Sequence, residues 1–235
     1  MLDDMNDSAK EKIILAVDAA DADSAARLLD PLAGHLRWAK IGLQLFTAEG
    51  PRIVRVVRER GLRIFLDLKF HDIPNTVREA VHSAVQLGVE MTTIHLAGGP
   101  RMVEAAVAAA GNDTLVLGVT VLTSMDGEQL RATGISVEPR EQVLSLAKMG
   151  ASVGLRGVVA SPQEICALRS ELGDDMTIVT PGIRPAGADV GDQSRIATPA
   201  QAVNDGASFL VIGRPISAAS DPLAAFLAIA EEIEN

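Results

Sequence analysis

The chain has 235 residues, 48% of them apolar, and carries a formal net charge of −10. That length suits one large domain with a substantial core, and no run approaches the roughly eighteen uncharged apolar residues that a membrane helix needs. The acidic balance argues against nucleic acid as a partner, and 3% aromatics with no tyrosine leave little surface for stacking bases.

The first twelve residues, MLDDMNDSAKEK, are polar and acidic, with no apolar signal segment behind a basic start. They read as a disordered or loosely held extension (1–12) ahead of a single domain (13–235), and a cytoplasmic location is the expectation. One cysteine, Cys166, excludes an internal disulfide framework and a thiolate zinc site. It lies in the apolar run Ile165-Cys166-Ala167-Leu168 and reads as a small buried helix residue.

Short apolar, β-branched runs recur along the chain. Strands are expected at Ile13–Val17, Trp38–Gly42, Ile64–Leu68, Thr92–Leu96, Leu115–Leu122, Gly157–Ala160, Thr177–Thr180 and Phe209–Ile212. Between them lie helical stretches such as Ser24–Leu29, Pro51–Arg60, Val77–Leu87, Met102–Ala110, Arg140–Met149, Pro162–Leu172 and Pro199–Asp205. Eight alternating units of this kind fit a single-domain (β/α)8 TIM barrel better than an open doubly wound sheet. A barrel makes a sharp functional prediction, because active sites in this fold sit at the C-terminal ends of the strands.

Several strand ends are charged. The first closes on Asp18, the second contains Lys40, and the third runs through Asp67 and Lys69 before breaking into His71-Asp72-Ile73-Pro74. Side chains alternate faces along a strand, so Asp67 and Lys69 point one way while Leu66 and Leu68 point the other. With the leucines under the helices, the two ions face the barrel mouth, and Asp72 follows on the loop beyond. An ordinary salt-bridge cluster is the competing reading. Burying so many ions at a catalytic edge is costly without a function.

The run Asp67-Leu68-Lys69-Phe70-His71-Asp72-Ile73-Pro74-Asn75-Thr76 resembles the D-x-K-x-x-D-I-P-x-T signature of the orotidine 5′-phosphate decarboxylases. The likeness extends through Ala16-Val17-Asp18, Lys40-Ile41-Gly42, Val119–Ser124, Thr180–Pro185 and Ile212–Pro215, leaving only the first dozen residues outside it. What the resemblance implies is specific. Asp18 and Lys40 contact the ribose hydroxyls. Asp67, Lys69 and Asp72 surround the scissile carboxylate, with Asp72 and Thr76 reaching in from the partner subunit of a homodimer. Lys69 delivers the proton that replaces carbon dioxide. Thr123, or Ser124 beside it, binds the pyrimidine ring. Arg184, Gln193, Gly213 and Arg214 hold the phosphate and the lid over it, and neither cofactor nor metal is expected.

The phosphate assignment has support from the fold, since barrels often bind phosphate with the loops after strands seven and eight. Pro181–Arg184 and Gly213–Pro215 fall there, and the polar, glycine-bearing stretch Gly182–Arg195 reads as a lid. Thr76 has a rival role, because Thr76-Val77-Arg78-Glu79 matches a capping box. His71 reads as structural, and His35, His82 and His95 form no metal-ligand spacing. The nearest functional rival is a magnesium-dependent sugar-phosphate decarboxylase or aldolase of the same barrel group, which needs a carboxylate where this chain has Lys40. A Schiff-base role for Lys69 calls for an apolar pocket rather than flanking carboxylates. A non-catalytic phosphate-binding barrel has no use for an inward Asp67–Lys69 pair.

Overall fold

The computed structural model describes residues 8–185 and 196–234. Among these residues eight parallel strands close into a barrel in chain order: β1 (Ile13–Val17), β2 (Trp38–Gly42), β3 (Arg63–Phe70), β4 (Met91–His95), β5 (Leu115–Val119), β6 (Gly157–Val159), β7 (Thr177–Thr180) and β8 (Phe209–Ile212). The first and last strands pair directly, Ile13 to Leu210 and Leu15 to Ile212, and that pairing closes the ring.

Around it lie α1 (residues 8–12), α2 (Ala22–Leu29), α3 (Leu43–Glu49), α4 (Arg52–Arg58), α5 (Pro74–Gln86), α6 (Pro100–Ala110), α7 (Gly127–Ala132), α8 (Pro139–Ser152), α9 (Ile165–Leu172), α10 (Pro199–Asn204), α11 (Arg214–Ser217) and α12 (Pro222–Glu234). The (β/α)8 expectation from the strand pattern is met.

The period-two logic of the strands divides the core in two. Ile14, Ala16, Trp38, Phe65, Met91, Leu117, Val179 and Val211 fill the barrel interior. Their neighbours Ile13, Leu15, Val17, Ile64 and Leu66 point outward into a larger layer shared with the helices. Proline opens α5, α6, α8, α10 and α12. Its fixed φ suits the first helical position and its missing N–H costs nothing there. The strands thus hand over to helices at defined points, which keeps the mouth loops short except after β5 and β7.

Three expectations need correction. Within the dozen residues read as loosely held, residues 8–12 are helical, with Ala9 buried in the outer core. Glu11 bonds Arg63 and lies 3.7 Å from the guanidinium of Arg37. Arg63 also sits over the Trp38 ring, 4.4 Å from its centroid, so this stretch helps to close the N-terminal end of the barrel. Polar composition concealed a docking that long-range contacts supply; residues 1–7 lie outside the described residues.

Cys166 is exposed rather than buried, because α9 turns Ile165, Ala167 and Leu168 inward and leaves the thiol on its outer face. Thr76 is no helix cap. Pro74 takes the first helical position, Ile73 is the N-cap residue without a side-chain bond, and Glu79 pairs with Arg78 instead.

Gly118 shows how tightly the layers fit. A Cβ added there would lie 2.6 Å from Leu96 Cδ2 and 2.7 Å from Leu155 Cδ2, both within the outer core. Gly118→Ala is expected to lower unfolding stability by about 1–3 kcal/mol, as overpacking does. Urea titration reads this directly, and an unchanged midpoint would contradict the packing described.

Candidate active site

The site is built around an irregularity in β3. Leu66 pairs with Thr92 and Phe70 with Ile94, so a four-residue step on β3 faces a two-residue step on β4. Extra residues of this kind form a bulge, which re-aims side chains at a barrel rim. Lys69 lies inside it with φ 51°, and among the described residues it is the one non-glycine with a left-handed backbone. That conformation costs an L residue about 1–2 kcal/mol.

The strained backbone directs the lysine back onto its own strand. Lys69 Nζ lies 2.8 Å from both Oδ1 and Oδ2 of Asp67. Thr93, fully buried on β4, completes the arrangement: its hydroxyl donates to Asp67 Oδ1 at 2.9 Å and accepts from the Lys69 backbone N–H at 2.8 Å. Lys40 approaches from β2, with Nζ 3.7 Å from Asp67 Oδ2 and 3.9 Å from Asp18 Oδ1 at the end of β1. Four charges from three adjacent strands therefore meet at the C-terminal edge of the barrel.

Burial pushes the Asp67 carboxyl up. The positive charges of Lys40 and Lys69, together with hydrogen bonds from Lys69 and Thr93, outweigh it and hold the group below the ordinary aspartate range. Nearby, His95 at the end of β4 stacks obliquely on His71, with ring centroids 5.5 Å apart. Burial, then His71 and Lys69, pushes the His95 imidazole down, against an opposing pull from Asp67.

These charges line one side of a cavity of about 420 Å³. Its floor is the interior layer of the barrel, Ala16, Phe65, Val159 and Val211, and Val119, Val121, Leu122 and Thr123 continue the wall beyond β5. Pro181, Gly182 and Arg184 after β7, with Gly213 and Arg214 after β8, complete it. Arg184 is buried and donates from Nη1 to the Ile183 carbonyl at 2.8 Å, whereas Arg214 is exposed. An apolar pocket of this size, closed by a few convergent polar groups, has the form of a small-molecule site.

The structure brings Asp18, Lys40, Asp67, Lys69, Thr123, Arg184, Gly213 and Arg214 together around this cavity. Asp72 and Thr76 do not line it. Both are exposed at the start of α5, and Asp72 Oδ1 accepts the Ile73 N–H at 2.6 Å. Gln193 and most of the expected lid lie outside the described residues. Sequence reasoning missed Thr93 and the apolar floor. In the structure Thr93 lies on the inward face of β4 (Met91–His95), but nothing in the sequence marked it as more than a core threonine.

The profile of the orotidine 5′-phosphate decarboxylase / HUMPS family matches residues 11–229. A protein of Moorella thermoacetica named orotidine 5′-phosphate decarboxylase is 52% identical across 96% of this chain and 93% of its own length. One of the same name from Opitutus terrae is 49% identical across 95% and 98%. The crystal structure of orotidine 5′-phosphate decarboxylase from Lactobacillus acidophilus superposes with a TM-score of 0.85 at 38% identity, covering 95% of this chain and 99% of that one.

The backbone at Lys69 yields a stability prediction. Glycine normally weakens a strand relative to alanine, but a left-handed position reverses the order. Lys69→Gly should be more stable than Lys69→Ala by about 1 kcal/mol. Parallel thermal melts check this, and the opposite ranking would show that residue 69 does not hold a positive φ in solution.

Proposed function

The chain belongs to the orotidine 5′-phosphate decarboxylase / HUMPS family, and from that premise we propose that it is the carboxy-lyase converting orotidine 5′-phosphate to uridine 5′-phosphate and carbon dioxide, the last step of de novo pyrimidine nucleotide synthesis. The observation that carries this reading is the Lys69 ammonium held 2.8 Å from each Asp67 oxygen inside the cavity, with Lys40 as a second cation behind it.

The chemistry explains why such a group is needed. Breaking the bond between C6 and the carboxylate leaves an electron pair in the plane of the pyrimidine ring, where the π system cannot absorb it. Carbon dioxide departs, and the pair takes a proton from Lys69 Nζ; water then reprotonates the amine. An ammonium fixed beside C6 stabilises the developing negative charge before donating its proton. Asp67, held ionised, sets the direction of Lys69 and faces the substrate carboxylate as a like charge, a repulsion relieved when carbon dioxide leaves.

Asp18 and Lys40 bind the ribose hydroxyls and Thr123 the pyrimidine. Arg184, Gln193, Gly213 and Arg214 take the phosphate, remote binding that holds the reacting carbon against Lys69. The apolar floor keeps bulk water from the carbanion.

The family also includes a magnesium-dependent branch, and the donor set here does not suit that metal. Lys40 stands where a carboxylate ligand is required, and an ammonium has no lone pair to offer a cation. A divalent ion on Asp67 would also have to displace Lys40 from 3.7 Å.

Asp72 and Thr76 act in the neighbouring subunit of a homodimer. Their exposure supports this, as does Ile73 between them, a large apolar side chain 67% exposed on the same rim. No helix among the described residues is long and apolar enough to cross a membrane, and a cytoplasmic location belongs to the same proposal.

Loss of pyrimidine absorbance on adding orotidine 5′-phosphate tests the activity. Turnover is expected to survive exhaustive chelation. An enzyme that is silent until magnesium is restored would favour the metal-dependent branch instead.

The shared site has its own test. Lys69→Ala and Asp72→Asn, dissociated and reassembled together, should form mixed dimers in about half of all molecules. Each mixed dimer has one intact site and one site with both lesions, so about a quarter of sites should regain activity. Mixed dimers without recovered turnover would place Asp72 in its own subunit's site.

A further inference from the structure

We infer that Thr93 is a positioning residue for the reaction: its one hydroxyl fixes the Lys69 backbone and the Asp67 carboxylate relative to each other, and so sets where the lysine ammonium stands. The inference rests on the decarboxylase reading above and deepens it.

The argument begins with two adjacent threonines on β4. Thr92 and Thr93 are both fully buried and point to opposite faces of the strand. Thr92 faces the helices, and its hydroxyl donates to the Leu66 carbonyl at 3.0 Å, an ordinary strand-to-strand support. Thr93 faces the barrel interior, where its hydroxyl meets the two residues proposed to do the chemistry.

A threonine hydroxyl has one hydrogen to give and lone pairs to receive. Thr93 gives its hydrogen to Asp67 Oδ1 at 2.9 Å and receives the Lys69 N–H at 2.8 Å. Both contacts are of ordinary hydrogen-bond length, and the one from the Lys69 N–H arises at the bulge. Between the Leu66–Thr92 and Phe70–Ile94 pairs the register slips, and the Lys69 amide finds a side-chain oxygen there.

Lys69 needs such a partner more than most residues do. Its φ of 51° is a conformation that persists only where the surroundings over-determine it. Without the Thr93 hydroxyl, the partly buried amide loses its hydrogen-bond partner and the backbone is free to relax toward negative φ. The Cα–Cβ bond then swings, and Nζ at the end of a four-carbon stem moves with it. Asp67 Oδ1 loses one of its two donors and keeps only Lys69, while Lys40 still faces Oδ2.

Thr93 itself does not line the cavity. Its loss should therefore disturb alignment without disturbing the grip on substrate. Misplacing a reacting group by about 1 Å costs about a hundredfold in rate, and that is the effect expected on kcat.

The experiment compares three variants in the intact protein. Thr93→Val keeps the shape and removes the hydroxyl. Thr93→Ser keeps the hydroxyl and removes a methyl. Thr92→Val removes a buried hydroxyl one residue away, on the face that bears no catalytic group.

With orotidine 5′-phosphate as substrate, Thr93→Val should lose about a hundredfold in kcat with KM nearly unchanged. Thr93→Ser should restore most of the rate. Thr92→Val should melt at a lower temperature yet retain wild-type kcat. In the same proteins, the Asp67 carboxyl followed by carbon-13 NMR should titrate higher in Thr93→Val, because a donor that favours the ionised form has gone. It should be unmoved in Thr92→Val.

A Thr93→Val enzyme with wild-type kcat, or a Thr92→Val enzyme with the same loss, would overturn the inference. If Thr93→Val does not fold, Thr93→Ser against Thr93→Cys makes the comparison between a strong and a weak hydrogen-bonding group of similar size, and equal kcat in that pair overturns it. If the wild-type protein leaves orotidine 5′-phosphate untouched, the decarboxylase reading fails. The Asp67 titration still decides the placement of Thr93, and an unshifted titration in Thr93→Val counts against it.

Discussion

The carboxylate of Asp67 is the interaction on which the rest of the site depends. It lies largely buried, 9% exposed, within reach of two ammonium groups from different strands. An isolated carboxylate there would cost several kcal/mol in lost hydration, and removing one partner from a buried pair typically costs about 3–5 kcal/mol. The site is therefore consistent only as a whole: Asp67 stays ionised because Lys40 and Lys69 face it, and their charges are tolerated because Asp67 stands between them. Barrel closure makes this possible by placing the ends of β1, β2 and β3 side by side. An open sheet could supply the residues, but not an apolar floor beneath them built from strands on the far side of the ring.

The same constraint explains why the strain sits where it does. Regular alternation along β3 would carry Lys69 past Asp67 rather than back onto it. The bulge and the left-handed φ at Lys69 place the ammonium over both oxygens, so the pair is set by the backbone before any ligand arrives. Strain at a functional residue is stored by neighbours that hold it in place. Here those neighbours are Thr93 and the β3–β4 ladder on either side of the slip.

Much of this was legible in the sequence, for reasons that can be traced residue by residue. β1, β2, β7 and β8 have the bounds the apolar runs predict, because in a closed barrel both faces of a strand are covered. β5 was read through Leu122 but ends at Val119. Val121 and Leu122 are apolar because they line the ligand cavity, a pattern a strand would share. α12 went unread because Leu223–Ala230 is an unbroken apolar run that leaves no helical stripe to count. α3 went unread because its seven residues, with Gln44, Thr47 and Glu49 among the apolar ones, are too few to show a period.

The charged group Asp18, Lys40, Asp67 and Lys69 was found from strand ends alone. The face shared by Asp67 and Lys69 was foreseen by alternation, although the structure reaches it through a bulge. Thr93 was invisible, because its importance lies in two hydrogen bonds that no spacing encodes. The docking of residues 8–12 was hidden in the same way, being a tertiary contact made by a polar segment.

The central claim is that the Lys69 ammonium, fixed by Asp67, both stabilises the carbanion and supplies its proton. Turnover of saturating orotidine 5′-phosphate by Lys69→Ala, set beside the affinity of the same variant for uridine 5′-phosphate, tests it most directly. The account predicts a loss of at least about a thousandfold in kcat with product still bound, because acid catalysis and charge stabilisation vanish together while the phosphate and ribose contacts remain. Turnover within about tenfold of the wild-type enzyme would contradict it.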